Sequence, residues 1–233
     1  MSEMIRFENV SKIYDGHGHR NLVLNNLNFT IGPRDRLGIC GSNGAGKSTL
    51  IRMIAGVDNP TSGRVIRNMT TSWPLGYASA FQSSLTGADN CRFIARIYGK
   101  NIEKLTKFVE DFCELGPYFR QPVHTYSSGM GARFSFGISL AIDFDCYLID
   151  EVTATGDERF RKKIEAVMDE RKSKGALVMV SHVPQTLRAH CEKGAVLFNG
   201  ALQFFDTIDE AIDVHNYYQR TVKSDRAVVD IHH

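Results

Sequence analysis

No stretch of about 18 apolar residues occurs in the 233-residue sequence, and its first residues, Met1-Ser2-Glu3-Met4-Ile5-Arg6, lack the apolar core of a signal segment. The chain is therefore expected neither to span a membrane nor to be exported, so any membrane role must come through a partner. A basic excess is missing too. The 28 Lys and Arg nearly cancel the 26 Asp and Glu, and no block of like charge stands out, which argues against a dedicated nucleic-acid binder. The five cysteines, Cys40, Cys91, Cys113, Cys146 and Cys191, are odd in number, scattered and never in a C-x-x-C pair. That pattern excludes a disulfide framework and favours buried free thiols in a reducing cytosol. Internal repeats, low-complexity tracts and free linkers are absent. The length suits one large domain, or one domain with an inserted lobe.

What is present centres on Gly41-Ser42-Asn43-Gly44-Ala45-Gly46-Lys47-Ser48-Thr49. This stretch follows the apolar Leu37-Gly38-Ile39-Cys40 and precedes the periodic Leu50-Ile51-Arg52-Met53-Ile54-Ala55, so it reads as strand, phosphate loop, helix. The match to G-x-x-x-x-G-K-[ST] is complete and has the strand-then-helix context that the motif requires. Glycines at 41, 44 and 46 let successive N–H groups close on phosphate oxygens, and the helix beginning near Lys47 adds its positive end. Lys47 supplies a point charge for the β- and γ-phosphates, and the Ser48 hydroxyl is placed to ligate the magnesium that a nucleoside triphosphate carries.

Upstream, Ile5 to Tyr14 and Leu22 to Ile31 read as strands joined by the turn-rich Asp15-Gly16-His17-Gly18-His19. Gly32-Pro33-Arg34-Asp35 is a turn, Gly56 ends the helix, and Arg64 to Arg67 is a short strand. A further strand is expected over Trp73 to Ala80. Helical spacing then takes over. Phe93, Ile94, Ile97 and Tyr98 mark one packing face, and Leu105, Phe108, Val109, Phe112 and Leu115 a second that Gly116-Pro117 stops, which places an inserted helical lobe at about residues 85 to 140. Asp145 to Glu151 and Ala176 to His182 are apolar strands ending in polar residues, with a polar helix from about Asp157 to Lys174 between them. Strands of this kind alternating with helices indicate a parallel sheet buried on both faces. A hairpin turned by Asn199-Gly200 and a helix over Asp206 to Gln219 close the chain.

A phosphate loop alone admits kinases, GTPases, helicases and transporters, so the later motifs decide. Asp150 ends an apolar strand at the Walker B position, where a carboxylate can hold magnesium through water, and Glu151 beside it can orient or deprotonate an attacking water. Tyr126-Ser127-Ser128-Gly129-Met130 stands before an apolar helical run and offers a second anion site at a helix N-terminus; a serine-rich helix cap explains it equally well.

Taken in order, Tyr14, Gly41 to Thr49, Gln82, Ser127 to Met130, Asp150-Glu151, Asp157 and His182 resemble the nucleotide-binding domain of ATP-binding cassette transporters. The resemblance covers essentially the whole chain. It implies an α/β P-loop NTPase fold with a mixed sheet core, an antiparallel β subdomain and the inserted helical lobe, over residues 1–220 with a short tail at 221–233. It implies ATP and Mg²⁺ as ligands. Tyr14 would stack on adenine, and the Gln82 amide would touch magnesium and report occupancy to the lobe. Ser127 and Gly129 would meet phosphate, Asp157 would be the D-loop acid, and His182 would contact the γ-phosphate. The usual signature Leu-Ser-Gly-Gly-Gln is here Tyr126-Ser127-Ser128-Gly129-Met130. Asp150-Glu151-Val152-Thr153-Ala154-Thr155-Gly156-Asp157 likewise stands where Asp-Glu-Pro-Thr-Ser-Ala-Leu-Asp is usual. These variant forms resemble the branch that exports cell-surface polysaccharides.

In that family two such domains face each other head to tail, so the resemblance implies a homodimer in which each copy lends Ser127 and Gly129 to its partner's nucleotide. It also implies a separate membrane permease as the only membrane contact, and a peripheral position on the cytoplasmic face of the inner membrane. Because the chain stops soon after its last helix, a capsular polysaccharide exporter is expected ahead of one for O-antigen or teichoic acid. A soluble cassette ATPase working on DNA or in translation is the rival class, and its coiled-coil insertions or fused second cassette are not in the sequence. A small-molecule phosphotransferase would need an acceptor site, which is not evident.

Overall fold

The computed structural model describes residues 3–16, 19–74, 81–150, 158–172 and 175–229. It comprises two units, Met1–Thr70 with Ala176–His233, and Thr71–Gly175.

In the first unit, period-two alternation builds strand β1 (Ile5–Gly16), which pairs antiparallel with β2 (His19–Ile31) and with β4 (Ser62–Arg67). Ile5, Phe7 and Val10 are buried on β1, and Leu24, Leu27 and Ile31 on β2. Both strands run longer than their apolar patterns predict, because the ladder continues through Tyr14↔Asn21 to Gly16↔His19. The second sheet surrounds β3 (Arg36–Cys40), which lies between parallel β6 (Ala176–Val180) and β7 (Lys193–Phe198). Strand β8 (Ala201–Phe205) returns antiparallel to β7. As the sequence predicts, Asn199 (φ 48°) and Gly200 (φ 77°) make that turn, both in the left-handed region that a two-residue hairpin needs. The sheet of this unit is thus mixed.

The Gly32–Asp35 turn is locked by its own carboxylate, which accepts from the Gly32 N–H at 2.7 Å and from Lys193 Nζ at 2.9 Å. Burial pushes the Asp35 carboxyl up, but these two donors outweigh it and hold the group below the usual carboxylate range. Helix α1 (Lys47–Ile54) follows β3 and buries Leu50, Ile51, Met53 and Ile54 completely. The last helix of the chain, α7 (Ile208–Val229), runs beyond its expected end at Gln219, so the expected tail from 221 begins within it. No Gly or Pro interrupts Ile208 to Val229. Its Ile208, Ala211 and Ile212 are buried, and a Cβ on Gly194 of β7 would come within 2.3 Å of Ala211 Cβ.

The second unit carries α2 (Gly87–Ile97), α3 (Ile102–Cys113), α4 (Ser128–Leu140), β5 (Cys146–Asp150) and α5 (Glu158–Lys172). Side-chain caps start its first three helices: Thr86 accepts from Asp89 N, Asn101 from Lys104 N and Ser127 from Met130 N. Glu114, in the left-handed conformation at φ 52°, ends α3 just ahead of the expected Gly116-Pro117 stop. The core is strongly aromatic. Phe134 meets Phe81, Phe119 and Tyr126 edge-on, while Trp73 meets Phe81, Tyr98 and Phe144 and donates its indole N–H to Ser139 Oγ at 2.6 Å.

The packing face expected on α2 needs correction. Ile94 is buried and Tyr98, just past the helix, packs its ring on Trp73 and Phe144, but Phe93 and Ile97 are 55% and 58% exposed. The buried stripe is Ala88, Cys91, Ile94 and Ala95, equally periodic, with small side chains on either side of Ile94. Trp73 and Pro74, expected to begin a strand, are irregular, whereas Thr71 and Ser72 just before them pair with Cys146. The rest of that expected strand, 75–80, lies outside the described residues. All five cysteines are buried free thiols, as expected.

Candidate functional site

The turn between β3 and α1 has glycines where only glycine fits. Gly44 and Gly46 have φ of +79° and +102°. A Cβ on Gly46 would also sit 2.6 Å from Val23 Cγ1, and one on Gly41 would sit 2.8 Å from the Leu197 carbonyl oxygen. Asn43 and Gly44 are exposed at the tip, and the Ala45 N–H closes the turn on the Ser42 carbonyl at 3.2 Å. Helix α1 has no side-chain cap at Gly46 and no acidic residue in its first turn, so its positive end is left for an external anion. Lys47 Nζ folds back to donate to the carbonyls of Gly41 (2.7 Å) and Ser42 (2.8 Å), which keeps the ammonium over the loop. Ser48 is exposed and Thr49 buried. At the other end of α1 the Arg67 guanidinium donates to the carbonyls of Met53 and Ile54, securing the helix beneath the loop. These features fit a bound polyphosphate.

Tyr14, expected to meet the base, lies in the same unit as this loop. Its hydroxyl donates to Asp58 Oδ2 at 2.6 Å, accepts from Arg52 Nη2 at 3.1 Å and lies 3.5 Å from Thr49 Oγ1. Lys12 Nζ stands over the ring, 5.0 Å from its centroid. His182 is exposed in the bend between β6 and α6 (Pro184–His190), two residues past the strand whose end it was expected to form. A bond from Val183 N to Ser181 Oγ at 3.1 Å shapes that bend.

In the second unit, Gln82 is exposed and its side-chain amide donates to Ser84 Oγ at 3.2 Å. A residue that the sequence reading passed over holds it in place. Asn90, 1% exposed on α2, accepts from the Gln82 N–H at 3.0 Å and donates to the carbonyls of Gln82 (3.0 Å) and Thr86 (3.0 Å). The only signal was a polar residue within the small-residue stripe of α2. The Gln82 segment is also stitched to the stretch before the Ser127 turn: Val123 N donates to Leu85 O and His124 N to Ser83 O, each at 2.9 Å, and Thr86 bridges Pro122.

The turn itself is an exposed helix start. Ser127 caps α4, whose first turn carries no acidic residue, and nothing approaches within 4 Å of where a Gly129 Cβ would stand. Both the cap and the anion-site readings of the sequence are therefore compatible with one geometry. Tyr126, where the resemblance expected leucine, packs edge-on to Phe134, and its oxygen lies 2.5 Å from the place of a Gly87 Cβ. Burial pushes its phenol up to about 12. Asp150 is the last, partly exposed residue of β5. Glu151 and Asp157 lie outside the described residues. Among the described residues no group of three or more His, Cys, Asp or Glu side chains could hold a metal. A magnesium ion here would take most of its ligands from phosphates and water, with one or two from the protein, which is the ordinary habit of that ion.

Fold and phosphate loop together define a P-loop nucleotide-binding protein. The family model for the ABC transporter matches residues 24–154, more than half of the chain. The chain belongs to the ABC transporter family, whose ATP-binding cassettes hydrolyse ATP. It is 46% identical over 220 residues to the ATP-binding protein BexA of Haemophilus influenzae, covering 94% of this chain and 100% of that one. It is also 46% identical over 213 residues to the capsule polysaccharide export ATP-binding protein CtrD of Neisseria meningitidis, covering 91% and 99%. The fold is shared with the ATP-binding cassette MJ0796, solved as a dimer bound to ADP and Pi (TM-score 0.73, 20% identity, 86% of this chain and 98% of that one).

Proposed function

We propose that this chain is the ATP-binding and hydrolysing subunit that powers export of a capsular polysaccharide across the inner membrane through a separate permease. The observation that carries this reading is the 46% identity, over nearly the whole of both chains, to a capsule polysaccharide export ATP-binding protein. The subunit is peripheral and is held at the cytoplasmic face by its permease; no described helix is long and apolar enough to cross a membrane. Residues 1–220 form the cassette, with the lobe at about 85–140 inserted in it.

ATP lies with its phosphates on Gly41 to Thr49 and its base on Tyr14. Lys47 neutralises charge on the β- and γ-phosphates, Glu151 orients and deprotonates the attacking water, and His182 keeps the γ-phosphate in line. Ser48, Asp150 and Gln82 would hold Mg²⁺, which supplies charge neutralisation on the phosphate oxygens. Two copies enclose two nucleotides. The open α4 terminus at Ser127 and Gly129 gains an anionic partner from the second copy's nucleotide when the dimer closes, and Asp157 lies at the same junction.

The test is deletion of this chain from its host and complementation with the parent or with Lys47→Ala. The parent should restore surface capsule, whereas Lys47→Ala should leave polymer accumulating inside. Persistence of capsule in the deletion strain, or loss of another surface polymer in its place, would overturn the assignment.

A further inference from the structure

The Tyr14 hydroxyl is the centre of a polar cluster that no part of the proposed reaction uses. Asp58, just beyond α1, accepts from it at 2.6 Å with one carboxylate oxygen and from Lys12 Nζ at 2.5 Å with the other. Lys12 also donates to the Asn59 carbonyl at 2.7 Å, so its ammonium is fixed where it stands over the Tyr14 ring. Arg52 and Thr49 of α1 meet the same hydroxyl. The backbone is tied as well: Thr61 N donates to Ser11 O at 2.9 Å, and Ile13 N to Thr61 Oγ1 at 3.0 Å. The end of β1 is therefore bound to the segment that leaves α1, the helix whose other end carries Lys47 and Ser48. Tyr14 is 38% exposed, with Lys12 on one side of its ring.

A tyrosine near the end of a hairpin, left to itself, would sample several rotamers, and each would place a stacked base differently relative to the phosphates. Holding both the hydroxyl and one side of the ring removes that freedom before ligand arrives. We infer that Asp58 is a positioning residue that, with Lys12, sets the Tyr14 ring at a fixed distance from the phosphate loop and so selects for a nucleotide carrying an aromatic base. Asp58 acts through Tyr14 and touches no ligand. The inference rests on the reading of Tyr14 as the base platform.

The test compares two Mg²⁺-bound probes, ATP and inorganic tripolyphosphate, by calorimetric titration of the full chain. Tripolyphosphate occupies the loop but has no base. Losing the hydroxyl bond should weaken ATP by about 3- to 10-fold in Asp58→Ala and equally in Tyr14→Phe, with tripolyphosphate changed by less than about 2-fold in either. The double variant should weaken ATP by less than the two singles combined, because the Tyr14–Asp58 bond is lost in both. Tyr14→Phe carries the same expectation if Asp58→Ala fails to fold. Equal weakening of both probes would make Asp58 a mere support of α1 and overturn the inference, as would unchanged ATP affinity. Tyr14→Ala separates the two levels. If it leaves the ratio of ATP to tripolyphosphate affinity at the parent value, the base-platform reading itself fails; if it lowers the ratio while Asp58→Ala does not, only the positioning role fails.

Discussion

Replacing Asn90 with leucine keeps the side-chain volume close to that of the parent and removes every polar contact it makes. The asparagine forms three side-chain bonds of 3.0 Å, to the N–H and carbonyl of Gln82 and to the carbonyl of Thr86, and a long one of 3.4 Å to the Leu85 carbonyl that adds little. The bond to Thr86 is partly redundant, because Thr86 O also accepts the Asn90 N–H at 3.0 Å within the start of α2. Two effective bonds remain, and at about 1 kcal/mol each the loss is about 2 kcal/mol, confined to the segment 82–86. By local opening, that corresponds to amide exchange at Gln82 and Leu85 about 30-fold faster than in the parent, while exchange in β3 and α1 stays at the parent rate. Hydrogen exchange followed by mass spectrometry reads both regions in one experiment. Parent-like protection of Gln82 and Leu85 would refute the assignment of Asn90 as the clamp on Gln82. Acceleration spread evenly across both units would show that its role is global.

Gly46→Ala places a Cβ against Val23 on a backbone at φ +102°, so it should cost at least about 1–2 kcal/mol by urea unfolding and abolish ATP binding with it. Burial pushes the thiols of Cys40 and Cys113 up to about 11. Iodoacetamide at pH 8 should therefore leave the folded chain unlabelled for as long as it modifies all five cysteines in urea. Asp35 and Asp58 both sit below their unfolded value, so each stabilises the fold fully above that value and the contribution is lost as pH falls through the folded one. Melting temperature should drop in the acid range, and Asp35→Asn should flatten that drop.

Elements whose partners lie close in sequence were legible from residues alone. The β3–loop–α1 unit, the Asn199-Gly200 hairpin and the Ser127 cap each rest on local chemistry, and each falls within a residue or two of expectation. Burial on α2 was not legible, because two periodic stripes compete on that helix and only the tertiary fold decides between Phe93 with Ile97 and the smaller Ala88, Cys91 and Ala95. Asn90 and Asp58 were missed for a related reason. Their roles depend on contacts eight residues away to Gln82 and 44 residues away to Tyr14, which no spacing rule announces. The departure at Tyr126 became intelligible only with Phe134 and Gly87 beside it. Why Met130 replaces the usual glutamine is not explained by any contact in the structure.

The proposed site is completed by a second copy of the chain. Mass measurement of the Glu151→Gln variant with Mg²⁺ and ATP tests this most directly, because slowed hydrolysis should hold the closed form. The expected species has twice the mass of the 26.1 kDa chain and one ATP per copy, and dissociates when ATP is removed. ATP bound at full occupancy to a species of 26.1 kDa would contradict the proposal.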